Sequence, residues 1–206
     1  MSDFAIFCVT NRRLCREDFL CRMEKIAAAR PAAVILREKD LAEEDYAKLA
    51  AEVLGLCRSH GVPCILHSFS QAAKALGAEA LHLPLPLLRQ MPQGQREQFA
   101  VLGASCHSAA EAREAEALGC TYITAGHVFD TDCKKGLPGR GLPFLEEVCG
   151  SVSIPVYAIG GIHEDNVAAV RRSGAQGACV MSTLMQCQDP AACLQNLRQR
   201  AARSCM

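Results

Sequence analysis

The chain is 206 residues long, half of them hydrophobic, and its 22 lysines and arginines balance 22 aspartates and glutamates. That length supports one substantial core, and no polar or Pro/Gly-rich gap divides it, so a single domain over residues 1–206 is expected. The charge balance excludes a general pull toward nucleic acid or an anionic membrane, and an anionic small molecule has to be met by a local cluster. With no N-terminal leader pattern and no apolar run of about 18 residues, the expectation is a cytoplasmic protein without a membrane span. The 13 cysteines are odd in number, irregularly spaced and free of CxxC pairs. They read as reduced, buried small hydrophobes rather than a disulfide or metal framework.

Taken in chain order, short apolar runs alternate with helical patterns. FAIFCV (4–9), AVIL (33–36), PCIL (63–66) and ALHL (80–83) come first. FAVLGAS (99–105), TYITA (121–125), IPVYAIG (154–160) and GACVM (177–181) follow. These runs are almost continuously apolar, the pattern of strands in a parallel sheet covered by helices. The connection PLPLLRQMPQGQRE (84–97), with two early prolines, predicts no proper helix. SAAEAREAEALG (108–119) predicts a helix opened by a capping box of Ser108 and Glu111 and stopped at Gly119. HEDNVAAVRRSG (163–174) predicts another, with acids in its first turn and arginines in its last. Eight such units predict an α/β fold, a compact (β/α)8 TIM barrel, with an open doubly wound sheet as the alternative.

In a barrel of this kind the chemistry sits where strands end and the next loops begin. Arg37 and Lys39 follow the second strand two positions apart, so both point the same way and could meet a carboxylate or phosphate. Two charges in a solvated loop is the plain alternative. Gly160 and Gly161 end the seventh strand, and Met181 and Ser182 end the eighth just before a helical start. Close backbone approach and the positive end of a helix suit these four to a phosphate. His127 follows the sixth strand and is the leading acid/base candidate among six histidines, because imidazole gives or takes a proton near neutrality. Ser105, Thr131 and Lys134 are substrate-facing candidates from neighbouring strand ends and loops, and KGLPGRG (135–141) has the composition of a mobile flap. His67 and His82 also end strands at the mouth, and His60 reads as a helix end. A metal on His67, His82 and His127 would lack a carboxylate or cysteine partner, so neither metal nor other cofactor is expected.

YITAGHVFDTDCKKGLPGRGL (122–142), IPVYAIGGI (154–162) and GACVMSTLM (177–185) resemble the late signature of the thiamin phosphate synthase and TenI superfamily. LREK (36–39) and LGASCHSAAEAREAEALG (102–119) fall in the expected order, so the likeness spans nearly the whole chain. It implies one of two activities. A synthase joins a pyrimidine pyrophosphate to a thiazole phosphate with magnesium, whereas a TenI-type thiazole tautomerase shifts a proton on the thiazole phosphate precursor and needs no metal. Synthases resemble one another in an Asn-Asp-Arg stretch after the third strand and an aspartate after the fourth, which hold magnesium. Here the first stretch is His67, Ser68, Phe69, the second position falls near Leu87, and the usual glutamine before the cation pair is Ile35. GHVFDTDCKKGLPGRG resembles the tautomerase form, with His127 where synthases have proline.

The resemblance therefore implies a tautomerase with His127 as the proton-transfer residue. Arg37, Lys39, Ser105, Thr131 and Lys134 would contact the substrate, and Gly160, Gly161, Met181 and Ser182 its phosphate. A divergent thiamin phosphate synthase and a non-catalytic TenI-like binder of thiamin intermediates are the alternatives. The expected partner is a small-molecule thiazole phosphate, and a homo-oligomer is left open.

Overall fold

The computed structural model describes residues 4–131 and 136–203, so Lys134 lies outside the described residues. The strands are β1 (Ala5–Val9), β2 (Ala33–Leu36), β3 (Cys64–His67), β4 (Ala80–Pro84), β5 (Val101–Cys106), β6 (Tyr122–Gly126), β7 (Val156–Ile159) and β8 (Gly177–Val180). All eight follow the apolar runs. They pair in parallel in chain order, and β8 closes back on β1 through Cys8 opposite Val180. The sheet is therefore a closed (β/α)8 barrel and not an open one.

Helices α1 (Phe19–Ala28), α2 (Glu43–Ser59) and α3 (Ser70–Ala75) follow the first three strands, and His60 caps the end of α2 as expected. After β4 the chain forms two short helices, α4 (Leu85–Gln90) and α5 (Gln93–Arg96), where the prolines had predicted none. The reason is position: Pro86 stands in the first turn of α4, where a missing N–H costs nothing and the fixed φ suits the helix. At α6 (Ala109–Ala117) Ser108 Oγ accepts the Glu111 N–H at 3.1 Å, as the capping box requires. The Glu111 carboxylate, however, turns back one residue further and accepts the His107 N–H.

Next come α7 (Gly141–Cys149) and α8 (Val167–Arg172). Helix α8 starts later than its pattern suggested, so Glu164 and Asp165 precede it and its first turn holds no acid. Asn166 sets that start: its side chain accepts the His163 N–H at 2.9 Å and donates to the Gly161 carbonyl at 2.8 Å. Helices α9 (Ser182–Gln186) and α10 (Pro190–Ala202) follow β8. Among the described residues no helix is long and apolar enough to cross a membrane. The eleven described cysteines are free thiols, and Cys21 alone among them is exposed. Burial pushes Cys106 and Cys120 up to about 12, which leaves them as inert packing groups.

The larger core lies between strands and helices, while a second cluster, including Phe7, Ile35, Ile65 and Tyr122, fills the barrel itself. Phe7 stacks on Tyr157 with ring centroids 4.3 Å apart and meets Tyr122 edge-on at 6.0 Å. Gly103 makes room for this packing, since a Cβ there would stand 2.2 Å from Cζ of Tyr122. Gly103→Ala is accordingly expected to destabilise the fold by about 1–3 kcal/mol, the cost of overpacking, with part of that recovered in Gly103→Ala/Tyr122→Leu. Urea unfolding of the two variants checks this, and an unchanged midpoint for Gly103→Ala would contradict it.

Candidate active site

With the barrel interior plugged by aromatic rings, the carboxyl ends of the strands enclose a cavity of about 1220 Å³. Arg37 and Lys39 reach it from β2, Ser105 from β5, and His127 and Thr131 from β6 and its loop. Gly160 and Gly161 line it after β7, as do Met181 and Ser182 after β8. All the described candidates thus share one cavity.

The two cations are placed by an acid that stands between them. Arg37 and Lys39 face the cavity, while Glu38 turns away and is only 2% exposed. Its carboxylate accepts Thr10 Oγ1–H at 2.7 Å, the Arg12 N–H at 3.0 Å and Arg12 Nη1 at 3.1 Å. Thr10 Oγ1 in turn accepts the Arg37 N–H at 2.9 Å. Arg12 also grips Asp40 through both terminal nitrogens, at 2.7 and 2.6 Å, and holds that carboxyl down to about 2. The loops after β1 and β2 are thereby locked together beneath the cation pair.

Beside them, β3 and β4 bring two histidines into register, His67 next to His82, with stacked rings 5.4 Å apart. His82 is buried with both nitrogens engaged, Nδ1 at 2.9 Å from Tyr122 Oη and Nε2 at 2.8 Å from Ser105 Oγ. Burial, then the charges of Lys39 and Arg37, lower its pKa to about 3. His67, with Nδ1 at 2.7 Å from Ser68 Oγ, is lowered too, by burial first and then by His82 and the same cations. Near neutrality both imidazoles are therefore uncharged hydrogen-bonding groups of the wall. Ser105, through His82 and Thr124 Oγ1 at 3.4 Å, belongs to the same chain of contacts.

His127 is held by its backbone. The Val128 N–H donates to the Ile159 carbonyl at 2.9 Å, the Phe129 N–H to Gly160 at 3.1 Å, and the His127 carbonyl accepts the Arg140 N–H at 3.0 Å. Gly160 and Gly161, both at positive φ, permit this: a Cβ on Gly160 would stand 2.4 Å from His127 Cβ, and one on Gly161 2.4 Å from the Asp130 carbonyl. The glycine pair thus seats the histidine loop, a role its sequence did not reveal. The described part of KGLPGRG returns as a bound limb, with the Gly139 N–H on Asp130 Oδ1 at 2.7 Å and the Leu137 carbonyl 3.3 Å from His127 Nε2. Across the mouth, the first N–H groups of α9, at Ser182 and Thr183, have no acceptor within their helix.

Glu38, Asn166 and His107 were missed in the sequence. Alternation about Arg37 and Lys39 marks Glu38 as facing away, and His107 follows β5 as His127 follows β6. Asn166 carried no signal beyond its place at a helix start.

The lowered histidines have a consequence for stability. Both folded pKa values lie below the unfolded value near 6.5, so below about 6.5, and for His82 down to about 3, the unfolded chain binds more protons than the folded one. Stability rises with pH across that window and is lost as pH falls, by up to roughly 1.4 kcal/mol per pH unit for each histidine. Urea unfolding from pH 7 down to pH 4 is expected to show this slope, reduced in His82→Gln; equal slopes in the two proteins would contradict it.

Comparison with known proteins agrees with this architecture. The family described as thiamine monophosphate synthase, TMP-TENI, is matched over residues 6–184. A thiamine-phosphate synthase of Syntrophomonas wolfei is 33% identical over 205 residues, covering 96% of each chain. One of Desulfitobacterium hafniense is 33% identical over 202 residues, covering 95% of this chain and 96% of its own. Among solved structures, a thiamine phosphate pyrophosphorylase from Pyrococcus furiosus superposes with a TM-score of 0.84 at 28% identity, covering 98% of this chain and 96% of that one. A 3-hexulose-6-phosphate synthase, at 16% identity and a TM-score of 0.69, shares the fold alone. By the extent of the family match and the identity of these relatives along almost their full length, the chain belongs to the thiamine monophosphate synthase family of thiamin biosynthesis.

Proposed function

We propose that within this family the chain is a thiazole tautomerase, acting on a 2-carboxy-4-methylthiazol-5(2H)-ylidene ethyl phosphate. The observation that carries the reading is the charge make-up of the mouth. Five histidines, His127 among them, and the cations Arg37 and Lys39 line the cavity, and among its described lining residues Asp130 is the one carboxylate, already accepting the Gly139 N–H. A synthase of this family needs carboxylates for magnesium and the leaving pyrophosphate. Where they would stand, this chain has His67, Ser68 and Phe69, and Leu87, which lies on α4 and is 40% exposed. Among the described residues no group of His, Cys, Asp and Glu is arranged to hold a metal ion. The residues do not fit a magnesium–pyrophosphate site.

The tautomerisation asks for less. The C2–H bond breaks, its electron pair forms the C2–N double bond, the ring double bonds shift, and the exocyclic carbon gains a proton. The ring becomes aromatic, so the driving force lies in the product and the protein has only to position the substrate and move protons. Acid/base catalysis of that kind supplies about 10²–10⁴ in rate. In this reading Arg37 and Lys39 hold the carboxylate, the loops of Gly160, Gly161, Met181 and Ser182 hold the phosphate, and Ser105 and Thr131 border the ring. His127 moves the proton. The names of the relatives favour a second reading, a divergent thiamin phosphate synthase that finds magnesium with other ligands.

Replacing His127 with glutamine keeps an amide N–H near the position from which Nε2 meets the Leu137 carbonyl and removes the titrating ring. His127→Gln is expected to lower kcat on the nonaromatic precursor by about 10² or more, with KM and Tm nearly unchanged. A variant that loses stability while turning over at close to the wild-type rate would make His127 an architectural residue.

A further inference from the structure

We propose that His107 is a second proton-transfer group of this site and the partner of His127, an inference that rests on the tautomerase reading above. Its ring lines the same cavity from the end of β5, adjacent to β6. Nδ1 lies 2.7 Å from the carbonyl oxygen of Gly126, the residue that immediately precedes His127. A carbonyl only accepts, so in the neutral ring the proton sits on Nδ1 and the lone pair on Nε2. His127 is the mirror case. Its Nε2 is the nitrogen facing a carbonyl, that of Leu137, so its proton sits on Nε2 and its lone pair on Nδ1.

Two imidazoles thus stand on one peptide, each fixed in a tautomer by a backbone carbonyl and each left with a different reactive nitrogen. His107 is further fixed from behind, because its own N–H is held by Glu111 and the next residue, Ser108, caps α6. His67 and His82, in contrast, are held neutral and largely buried. They are unsuited to gaining a proton.

The reaction provides work for two groups. A proton leaves C2 and another arrives at the exocyclic carbon, which is carried by the ring carbon on the other side of the sulfur. One fixed imidazole would have to move to serve both, whereas two serve one each. The neutral imidazole takes the C2 proton and becomes imidazolium, and the other, beginning as imidazolium, gives its proton to the exocyclic carbon and becomes neutral. Exchange with water restores the pair, and His107, exposed at the rim, is open to it.

The test separates proton transfer from mere support of the Gly126–His127 peptide. His107→Asn keeps an amide N–H close to the position of Nδ1, and so the bond to the Gly126 carbonyl, but has nothing at Nε2. His107→Gln places a non-titrating amide near Nε2. Both are expected to fold with unchanged Tm and to lose about 10² or more in kcat, with KM within about threefold of wild type. In a single turnover of C2-deuterated precursor in ordinary water, the wild-type product should carry little deuterium on the exocyclic carbon. Long-range ¹H–¹⁵N spectra of the neutral histidines should show the Nδ1–H tautomer for His107 and Nε2–H for His127. If His107→Asn turns over within about threefold of wild type, if most of the deuterium is carried across, or if His107 shows the opposite tautomer, the proposal is wrong. A wild-type chain inert toward the precursor takes down the tautomerase reading and this proposal together. An active wild type with an active His107→Asn takes down this proposal alone.

Discussion

The pairing of β8 with β1 is the constraint on which the rest depends. Once the parallel sheet closes, the carboxyl ends of all eight strands share a single rim, and residues more than 140 positions apart, such as Arg37 and Ser182, face one cavity. Aromatic rings fill the barrel beneath. Substrate can therefore enter only where the strands end, and the chemistry of the rim is the chemistry of the molecule.

Each segment of that rim is fixed by its neighbour rather than by itself. Buried Glu38 ties the loops after β1 and β2 together and so sets the two cations. Gly160 and Gly161 give up side chains so that the His127 loop can lie against β7. Burial, with the cations adding to it, makes neutral walls of His67 and His82. The relatives are named as synthases, and Asp130 is the one carboxylate among the described residues lining this mouth.

Much of this was legible in the sequence because the strands of a covered parallel sheet advertise themselves: every continuous apolar run became a strand. The alternation of Arg37 and Lys39 and the placement of His127 after the sixth run followed from the same reasoning. What failed was local. The prolines of PLPLLRQMPQGQRE suggested a break, but a proline in the first turn begins a helix. The acids of HEDNVAAVRRSG were placed inside a helix whose start Asn166 sets later. Contacts between distant segments left no sequence trace: Glu38 reaching to Thr10 and His127 lying on Gly160 both arise where neighbouring strands of the barrel pair. Lys134 lies outside the described residues and stands as a sequence expectation.

The most direct measurement of the central claim is a paired assay of the purified chain. One reaction holds the nonaromatic carboxythiazole phosphate, and the other holds a pyrimidine pyrophosphate, the aromatic thiazole phosphate and magnesium. Aromatisation is expected in the first with kcat/KM at least about 10² above that for any thiamin phosphate formed in the second. Efficient thiamin phosphate synthesis, with the precursor left unaromatised, would contradict it.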